Sequence, residues 1–253
     1  MSRPRVVAII QARMTSSRLP GKVLADLCGQ PVLGWMLRRA ARAKLIDEVR
    51  LATTSNASDD AVAAYAQQMN APLTRGSEPD VLDRYYQAAQ ESQAEVIVRL
   101  TGDCPLIDPA MLDANIQTFL EADPPLDFAA NRLPGKRTIP IGLDTEICTF
   151  AALERAWKEA VLPHQREHVM PYFYENPDEF EILHIRHKPD FGQHRWTVDS
   201  PEDLALLRAI CAQFEDDQFS WQAVLELVQA QPDLAALNAA VPHRTQYDVD
   251  QRQ

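Results

Sequence analysis

The segment Gln11–Lys22 carries the side chains best suited to binding an anion. It reads QARMTSSRLPGK, with cations at Arg13, Arg18 and Lys22 and hydroxyl groups at positions 15, 16 and 17, and no acidic residue precedes Lys22. Arginine can pair with two phosphate oxygens, lysine adds a point charge, and hydroxyls and backbone N–H groups complete such a cradle. We interpret this segment, including Ser17, as a phosphate-binding loop. A solvated basic loop is the alternative, but three cations within ten residues argue against it.

Two aspartates follow other predicted strands. Asp103 lies in Thr101-Gly-Asp-Cys-Pro105, and Asp199 lies in WTVDSPEDL. A carboxylate that faces a triphosphate is repelled unless a divalent cation lies between them, so this pairing predicts Mg²⁺. Each aspartate also has a structural interpretation: Asp103 could order its turn, and Asp199 could belong to the cap of the next helix.

Three further motifs carry less weight. The turn 75–84 (RGSEPDVLDR) could present backbone groups and Ser77 to a nucleobase, or be an ordinary strand-to-helix turn. His164–His168 matches the H-x-x-E-H zinc motif, but prolines at 163 and 171 interrupt the helix that this motif needs, which favours a structural or substrate-side role for Glu167 and His168. The acidic triplet 248–250 (DVD) matches the DxD metal-binding motif, and we interpret this match as chance because the triplet lies in a polar tail rather than at a strand end.

Composition excludes several classes of protein. The 253 residues carry a net charge of -11, which disfavours nucleic acid or an anionic membrane as the main partner. No apolar run approaches the length of a membrane span, and the N-terminal apolar run is too short for a signal peptide, so we expect a cytoplasmic protein. The four cysteines form no CxxC pair and indicate reduced thiols rather than a zinc cage or a disulfide framework.

The first half of the chain alternates predicted strands and helices. Continuous apolar runs predict strands, and apolar residues at helical spacing predict helices. The elements are strand 6–11, helix 31–46, strand 49–54, helix 58–70, strand 71–75, helix 81–92, strand 95–101 and helix 109–122. This order predicts parallel strands with right-handed crossovers, and it places ligands at the carboxyl ends of the strands.

The second half mixes shorter elements. Predicted strands cover 127–132, 137–141, 143–150, 180–187 and 195–198, and predicted helices cover 150–161, 165–175, 220–231 and 232–240, with another helix opening at Ser200. No linker or internal repeat divides the chain. We therefore expect a single α/β domain with an inserted smaller lobe, made of a nucleotide-binding part (about 1–125) and a mixed-strand part (about 126–253).

Several motifs, in order, resemble the acylneuraminate and CMP-KDO cytidylyltransferases, most closely the SpsF-type branch of spore-coat polysaccharide biosynthesis. They are residues 7–24 (VAIIQARMTSSRLPGKVL), 76–86 (GSEPDVLDRYY), 100–109 (LTGDCPLIDP), 142–146 (GLDTE), 166–169 (REHV), 171–177 (PYFYENP) and 198–204 (VDSPEDL). The resemblance implies a GT-A-like nucleotidyltransferase fold, with a mixed, mostly parallel sheet flanked by helices. It also implies CTP and Mg²⁺, with a homodimer as a plausible assembly.

The resemblance also implies roles for particular residues. Arg13, Arg18 and Lys22 would hold the triphosphate, with Arg13, Lys22 and Asp103 as the catalytic set. Asp103 and Asp199 would bind the metal. The segments Gln11–Ala12 and Gly76–Ser77 would bind the base. Polar groups for the sugar would come from the second half, at Asp144, Glu146, Arg166, Glu167 and His168. Thr101 and Cys104 replace the Gln and Glu typical of CMP-KDO synthetases beside the aspartate, which argues against KDO as the sugar.

The sequence thus predicts an enzyme that transfers CMP from CTP to a sugar, of acidic or nonulosonic type, with release of pyrophosphate for surface polysaccharide synthesis. Two alternatives remain. A GT-A glycosyltransferase would consume a nucleotide sugar and would be expected to carry a mid-chain DxD motif. A catalytically silent subunit would bind the nucleotide without releasing pyrophosphate.

Overall fold

The computed structural model describes residues 3–242, so the acidic triplet 248–250 lies outside the described residues. Strands in this part are β1 (Val6–Gln11), β2 (Asp26–Leu27), β3 (Gln30–Pro31), β4 (Glu48–Thr54), β5 (Leu73–Gly76), β6 (Val96–Thr101), β7 (Phe128–Ala130), β8 (Arg132–Leu133), β9 (Lys136–Arg137), β10 (Glu146–Thr149) and β11 (Ile182–His184). Helices are α1 (Val32–Ala40), α2 (Asp60–Gln68), α3 (Val81–Glu91), α4 (Pro109–Leu120), α5 (Phe150–Glu159), α6 (Pro163–His168), α7 (Pro171–Glu175), α8 (Pro201–Cys211), α9 (Trp221–Ala230) and α10 (Pro232–Ala236).

The main sheet has seven strands in the order β11-β7-β10-β6-β1-β4-β5. Strand β10 runs antiparallel to both of its neighbours, and the other pairs are parallel. Helices cover both faces of the sheet. Alternate side chains of β1 point to opposite faces and therefore pack into different cores. Val6, Ala8 and Ile10 pack with α1, α2 and α4, whereas Val7 and Ile9 pack with α3 and α5. The predicted fold, a mixed and mostly parallel sheet flanked by helices in one domain, is confirmed.

The register of the central strands places the loops that carry the candidate site side by side. Gln11 at the end of β1 pairs with Thr101 at the end of β6 and with Ala52 on β4. The N–H of Gly102 then donates to the Gln11 carbonyl at 2.8 Å. The phosphate-binding loop and the Asp103 turn therefore leave the same edge of the sheet from adjacent strands.

Three helix predictions were wrong in extent, and one of them, the predicted helix 232–240, ends at Ala236. The predicted helix 165–175 is divided between α6 and α7, because Val169 adopts a φ of 70° and Pro171 starts the second helix. The predicted helix 31–46 ends at Ala40. Beyond it, the Asp113 carboxylate accepts the N–H groups of Lys44 and Leu45 and holds the chain in a turn.

Short strands were the least predictable elements. The predicted strands 137–141 and 195–198 are reduced to β9 and an isolated bridge between Ile141 and Arg195. The hairpin of β2 and β3, which no periodicity indicated, forms between Lys22 and α1. Among the described residues, no helix is both long and apolar enough to cross a membrane.

Candidate functional site

A cleft of about 300 Å³ opens at the carboxyl ends of β1 and β6. The segment Gln11–Lys22 forms one wall, and Thr101–Asp103 forms the floor. Asp199 enters from the segment before α8, and Glu167 and His168 close the cleft from α6. Residues distant in the sequence thus share one cavity at the sheet edge where parallel α/β proteins bind ligands.

The phosphate-binding loop is held in shape by carboxylates outside the cleft. Asp59 accepts the N–H of Met14 at 2.7 Å. Glu78 accepts from Thr15 Oγ1 at 2.7 Å and pairs with Arg13 at 3.3 Å. Glu78 thereby joins the loop to the 76–80 turn. The hydroxyl and cationic side chains along the loop line the cleft: Arg13, Thr15, Ser16, Ser17, Arg18 and Lys22.

Lys22 joins the two predicted metal ligands. Its Nζ donates to Asp103 Oδ2 at 2.6 Å and to Asp199 Oδ1 at 2.7 Å, so these two oxygens are at most about 5.3 Å apart, the sum of the two distances. Burial alone would lower the pKa of the Lys22 ammonium, but the two carboxylates outweigh burial and raise that pKa. The ammonium therefore stays charged at neutral pH, and the structure brings Asp103 and Asp199 together.

Asp199 is held by further cations. Its Oδ2 accepts from Arg195 Nη2 at 2.7 Å and pairs with Arg18 Nη2 at 3.1 Å. Burial would raise the pKa of this carboxyl group, but Lys22, Arg18 and Arg195 outweigh burial and lower the pKa to about 2. Asp199 is thus an anion at every physiological pH. Its backbone position is set by Asp203, which accepts the Asp199 N–H at 3.0 Å.

Arg195 and Arg84 are two site residues that sequence reasoning missed. Arg195 bridges Asp199 and the fully buried Asp203, a contact that sequence spacing does not indicate because residues 195–200 precede α8 and are not helical. Arg84, only 2% exposed, lines the cleft and donates to the Ser77 carbonyl at 2.7 Å. Gly76 packs against it, since a Cβ at Gly76 would lie 2.8 Å from Arg84 Cγ. Arg84 thereby supports the Gly76–Ser77 turn, through packing against Gly76 and the hydrogen bond to Ser77.

The predicted sugar residues fall into separate groups. Glu167 and His168 line the cleft, and burial, with help from nearby arginines, lowers the pKa of His168, so that its ring is neutral at pH 7. Glu146 pairs with Arg99 on β6, and Arg99 in turn donates to Gln11 Oε1 at 3.2 Å. Glu146 is buried in this ion pair and does not line the cleft, whereas Glu167 and His168 do.

The other two predicted sugar residues bind within the protein. Asp144 takes a bidentate pair from Arg137, and the neighbouring cations Arg137 and Arg132 outweigh burial and lower the pKa of Asp144. Arg166 donates to both oxygens of Asp80, the N-cap residue of α3, and to the Trp157 carbonyl at 2.6 Å. Arg166 is not among the residues lining the cleft and connects α6 to α3 instead.

The residues around Lys22 fit a hard divalent cation such as Mg²⁺. Mg²⁺ is typically held by one or two carboxylates and completed by substrate phosphates and water, rather than by an all-protein cage. Asp103 and Asp199 supply two converging carboxylates beside a phosphate-binding loop. Within residues 3–242, no group of three or more His, Cys, Asp or Glu side chains is placed to hold a metal. The donor set therefore suits a cation shared with a phosphate ligand.

The fold and the cleft define an α/β protein in which a basic loop and two converging carboxylates meet at the carboxyl edge of the sheet. A family model described as cytidylyltransferase matches residues 7–223. The chain belongs to this family and is a nucleotidyltransferase.

Relatives and solved structures agree with this assignment. The chain is 31% identical to the spore coat polysaccharide biosynthesis protein SpsF of Bacillus subtilis, covering 91% of this chain and 96% of that protein. It is 39% identical to the 3-deoxy-manno-octulosonate cytidylyltransferase of Geobacter sulfurreducens, over 46% of each chain. It is also similar to the solved structure of a cytidylyltransferase from Leptospira borgpetersenii, at 34% identity and a TM-score of 0.89, covering 95% of this chain and 100% of that one.

Proposed function

We propose that the protein transfers CMP from CTP to a sugar hydroxyl and releases pyrophosphate, supplying an activated sugar for surface polysaccharide synthesis. The observation that carries this proposal is the convergence of Arg13, Arg18 and Lys22 with Asp103 and Asp199 in one cleft of a cytidylyltransferase. Cationic groups and carboxylates lining the same cleft suit a triphosphate and its counter-ion.

In this reaction the sugar oxygen forms a bond to the α-phosphorus of CTP, and the bond from that phosphorus to the bridging oxygen breaks. Arg13, Arg18 and Lys22 hold the triphosphate oxygens, and catalysis consists mainly of positioning and charge stabilisation. Asp103 and Asp199 would hold the divalent cation, which when bound neutralises charge on the phosphoryl oxygens. Gln11, Ala12 and the Arg84-supported Gly76–Ser77 turn would receive the base.

We propose a sugar of the acidic or nonulosonic type. The relative from Geobacter sulfurreducens is named for an acidic sugar, an octulosonate, and its match covers 46% of this chain. Glu167 and His168 line the cleft from α6, and the neutral His168 ring can accept a hydrogen bond from a sugar hydroxyl. Thr101 and Cys104, beside Asp103, argue against KDO itself.

A pyrophosphate-release screen tests the proposal by crossing the four nucleoside triphosphates with a panel of acidic and neutral sugars. We expect pyrophosphate only with CTP and an acidic sugar. Release with neutral sugars alone would contradict the sugar class, and consumption of a nucleotide sugar without pyrophosphate would indicate a glycosyltransferase. CTP binding without release under any acceptor would indicate a catalytically silent subunit.

Variants of the basic loop show whether turnover depends on the cleft. Arg13→Ala and Lys22→Ala should weaken CTP binding and slow release at least tenfold. Arg186→Ala removes an exposed arginine outside the cleft and is the matched control, with turnover expected at the wild-type rate. Full turnover in both loop variants would show that the loop is a solvated surface segment without a role in turnover.

A further inference from the structure

The Lys22 ammonium lies where a cation shared by Asp103 and Asp199 would lie. Its Nζ is 2.6 Å from one carboxylate oxygen and 2.7 Å from the other, and only 12% of the side chain is exposed. Two carboxylates so close together repel each other unless a positive charge lies between them. In this structure a residue of the chain supplies that charge.

The charges of the pair are already balanced by their surroundings. Asp199 Oδ2 contacts both Arg18 and Arg195, and Arg195 is shared with Asp203, so three cationic groups face three carboxylates. Arg195 is fixed, because Asp203 also binds it from the buried side. Lys22 carries its charge on a flexible four-carbon stem and can move. A divalent cation approaching this site finds both carboxylates already paired with cationic groups until Lys22 leaves.

We propose that Lys22 competes with the divalent cation for the two aspartates, so that the cation binds well only after a triphosphate has drawn the ammonium away. This inference rests on the proposed function, since the triphosphate is the anion that the basic loop would bind. The triphosphate gives Lys22 a new partner and gives the cation additional oxygen ligands. Nucleotide and cation then assist each other's binding by the same factor.

Titration of the nucleotide-free protein with Mn²⁺, followed by the electron paramagnetic resonance signal of the free ion, tests the proposal. Lys22→Met removes the competing charge and should bind Mn²⁺ at least tenfold more tightly than the wild type. Lys22→Arg retains a cation and should stay close to the wild type. Lys158→Met is the matched control, because Lys158 pairs with Glu154 on the surface and does not line the cleft.

A second variant tests whether the additional Mn²⁺ affinity arises at the two aspartates. Lys22→Met combined with Asp103→Asn should lose the added affinity, because one of the two carboxylates is gone. The proposal is overturned if Lys22→Met binds Mn²⁺ no better than the wild type, or if its gain survives Asp103→Asn. Circular dichroism confirms that each variant is folded.

The wild-type protein provides a measurement that needs no Lys22 variant. Saturation of the nucleotide-free wild type at micromolar Mn²⁺, lost in Asp103→Asn, would also overturn the proposal, because Lys22 would then not exclude the cation. These titrations contain no nucleotide or sugar. A failed pyrophosphate screen would therefore count against the proposed function and leave the competition measurement unaffected.

Discussion

Arg195 and Asp203 form a buried bidentate ion pair, in which Nε donates to Oδ1 at 2.9 Å and Nη2 donates to Oδ2 at 3.0 Å. The same Nη2 reaches Asp199 at 2.7 Å, and Asp203 Oδ2 also accepts the N–H groups of Asp199 and Ser200. The pair thus fixes both the backbone and the carboxylate of Asp199. The cleft takes Asp199, one of its two predicted metal ligands, from a segment that this ion pair holds in place.

Arg195→Met should lower the free energy of unfolding by about 3–5 kcal/mol, because it leaves the fully buried Asp203 without its cation. Urea denaturation measures the loss. Arg195→Met combined with Asp203→Leu removes both charges and should lose less than the sum of the two single variants. A loss below about 1 kcal/mol for Arg195→Met would show that the pair is not the main support of this segment.

Asp103→Asn and Asp199→Asn should each raise the Mg²⁺ concentration needed for half-maximal pyrophosphate release, because each removes one hard anionic ligand. The double variant should lose less than the sum of the singles, since both act through one ion. Chelation of divalent cations should stop turnover of the wild-type enzyme. Asp233→Asn, at the start of α10 and outside the cleft, is the control. An unchanged Mg²⁺ requirement in both singles would contradict a shared ion.

Protonation of Asp199 should lower the free energy of unfolding in acid. The pKa of Asp199 is lowered from its usual 3.8 to about 2 by its cationic partners, so the folded state favours the carboxylate. The resulting stabilisation is complete above about pH 5 and is lost as the pH falls through about 2. We expect the wild type to lose more unfolding free energy between pH 6 and pH 3 than Asp199→Asn, as measured by urea denaturation. Parallel curves for the two proteins would count against this assignment.

Gly76→Ala should weaken nucleotide binding through Arg84. The new Cβ would lie 2.8 Å from Arg84 Cγ, so the arginine or the turn that it holds must move. In the wild type, CTP should raise the unfolding temperature more than ATP, GTP or UTP, and the variant should lose at least half of that CTP-induced increase. The unfolding temperature without nucleotide serves as the control. Equal increases from all four nucleotides in the wild type would contradict a preference for CTP.

Periodicity predicted the elements that are long and buried. Strand β1 was predicted with its observed bounds, and α4 begins at Pro109 after the Asp108 cap, as the sequence indicated. Such elements carry their signal locally, in apolar runs and capping residues. The bridge between Ile141 and Arg195 and the hairpin of β2 and β3 have no such signal, since tertiary contacts decide them.

The sequence also indicated which loops meet at the cleft but not how their charges pair. The rule that parallel strands bind ligands at their carboxyl ends is sufficient to place Lys22 near Asp103. It cannot show that Lys22 contacts Asp199 as well, because that contact joins residues 177 positions apart. Arg84 was overlooked for a similar reason: only the fold shows that its side-chain carbons pack against Gly76.

The long separation between Lys22 and Asp199 has a consequence for the order of events during synthesis. A growing chain has made β1, β4, β5 and β6, together with Lys22 and Asp103, well before it reaches Asp199. At about 5–20 residues per second, the second carboxylate follows the first by roughly 5–20 seconds. Asn238, which donates to the Arg195 carbonyl and to Asp203, comes later still. The nascent chain therefore holds only the first of the two predicted metal ligands until Asp199 is made, and the contacts that fix Asp199 are complete only after Asn238.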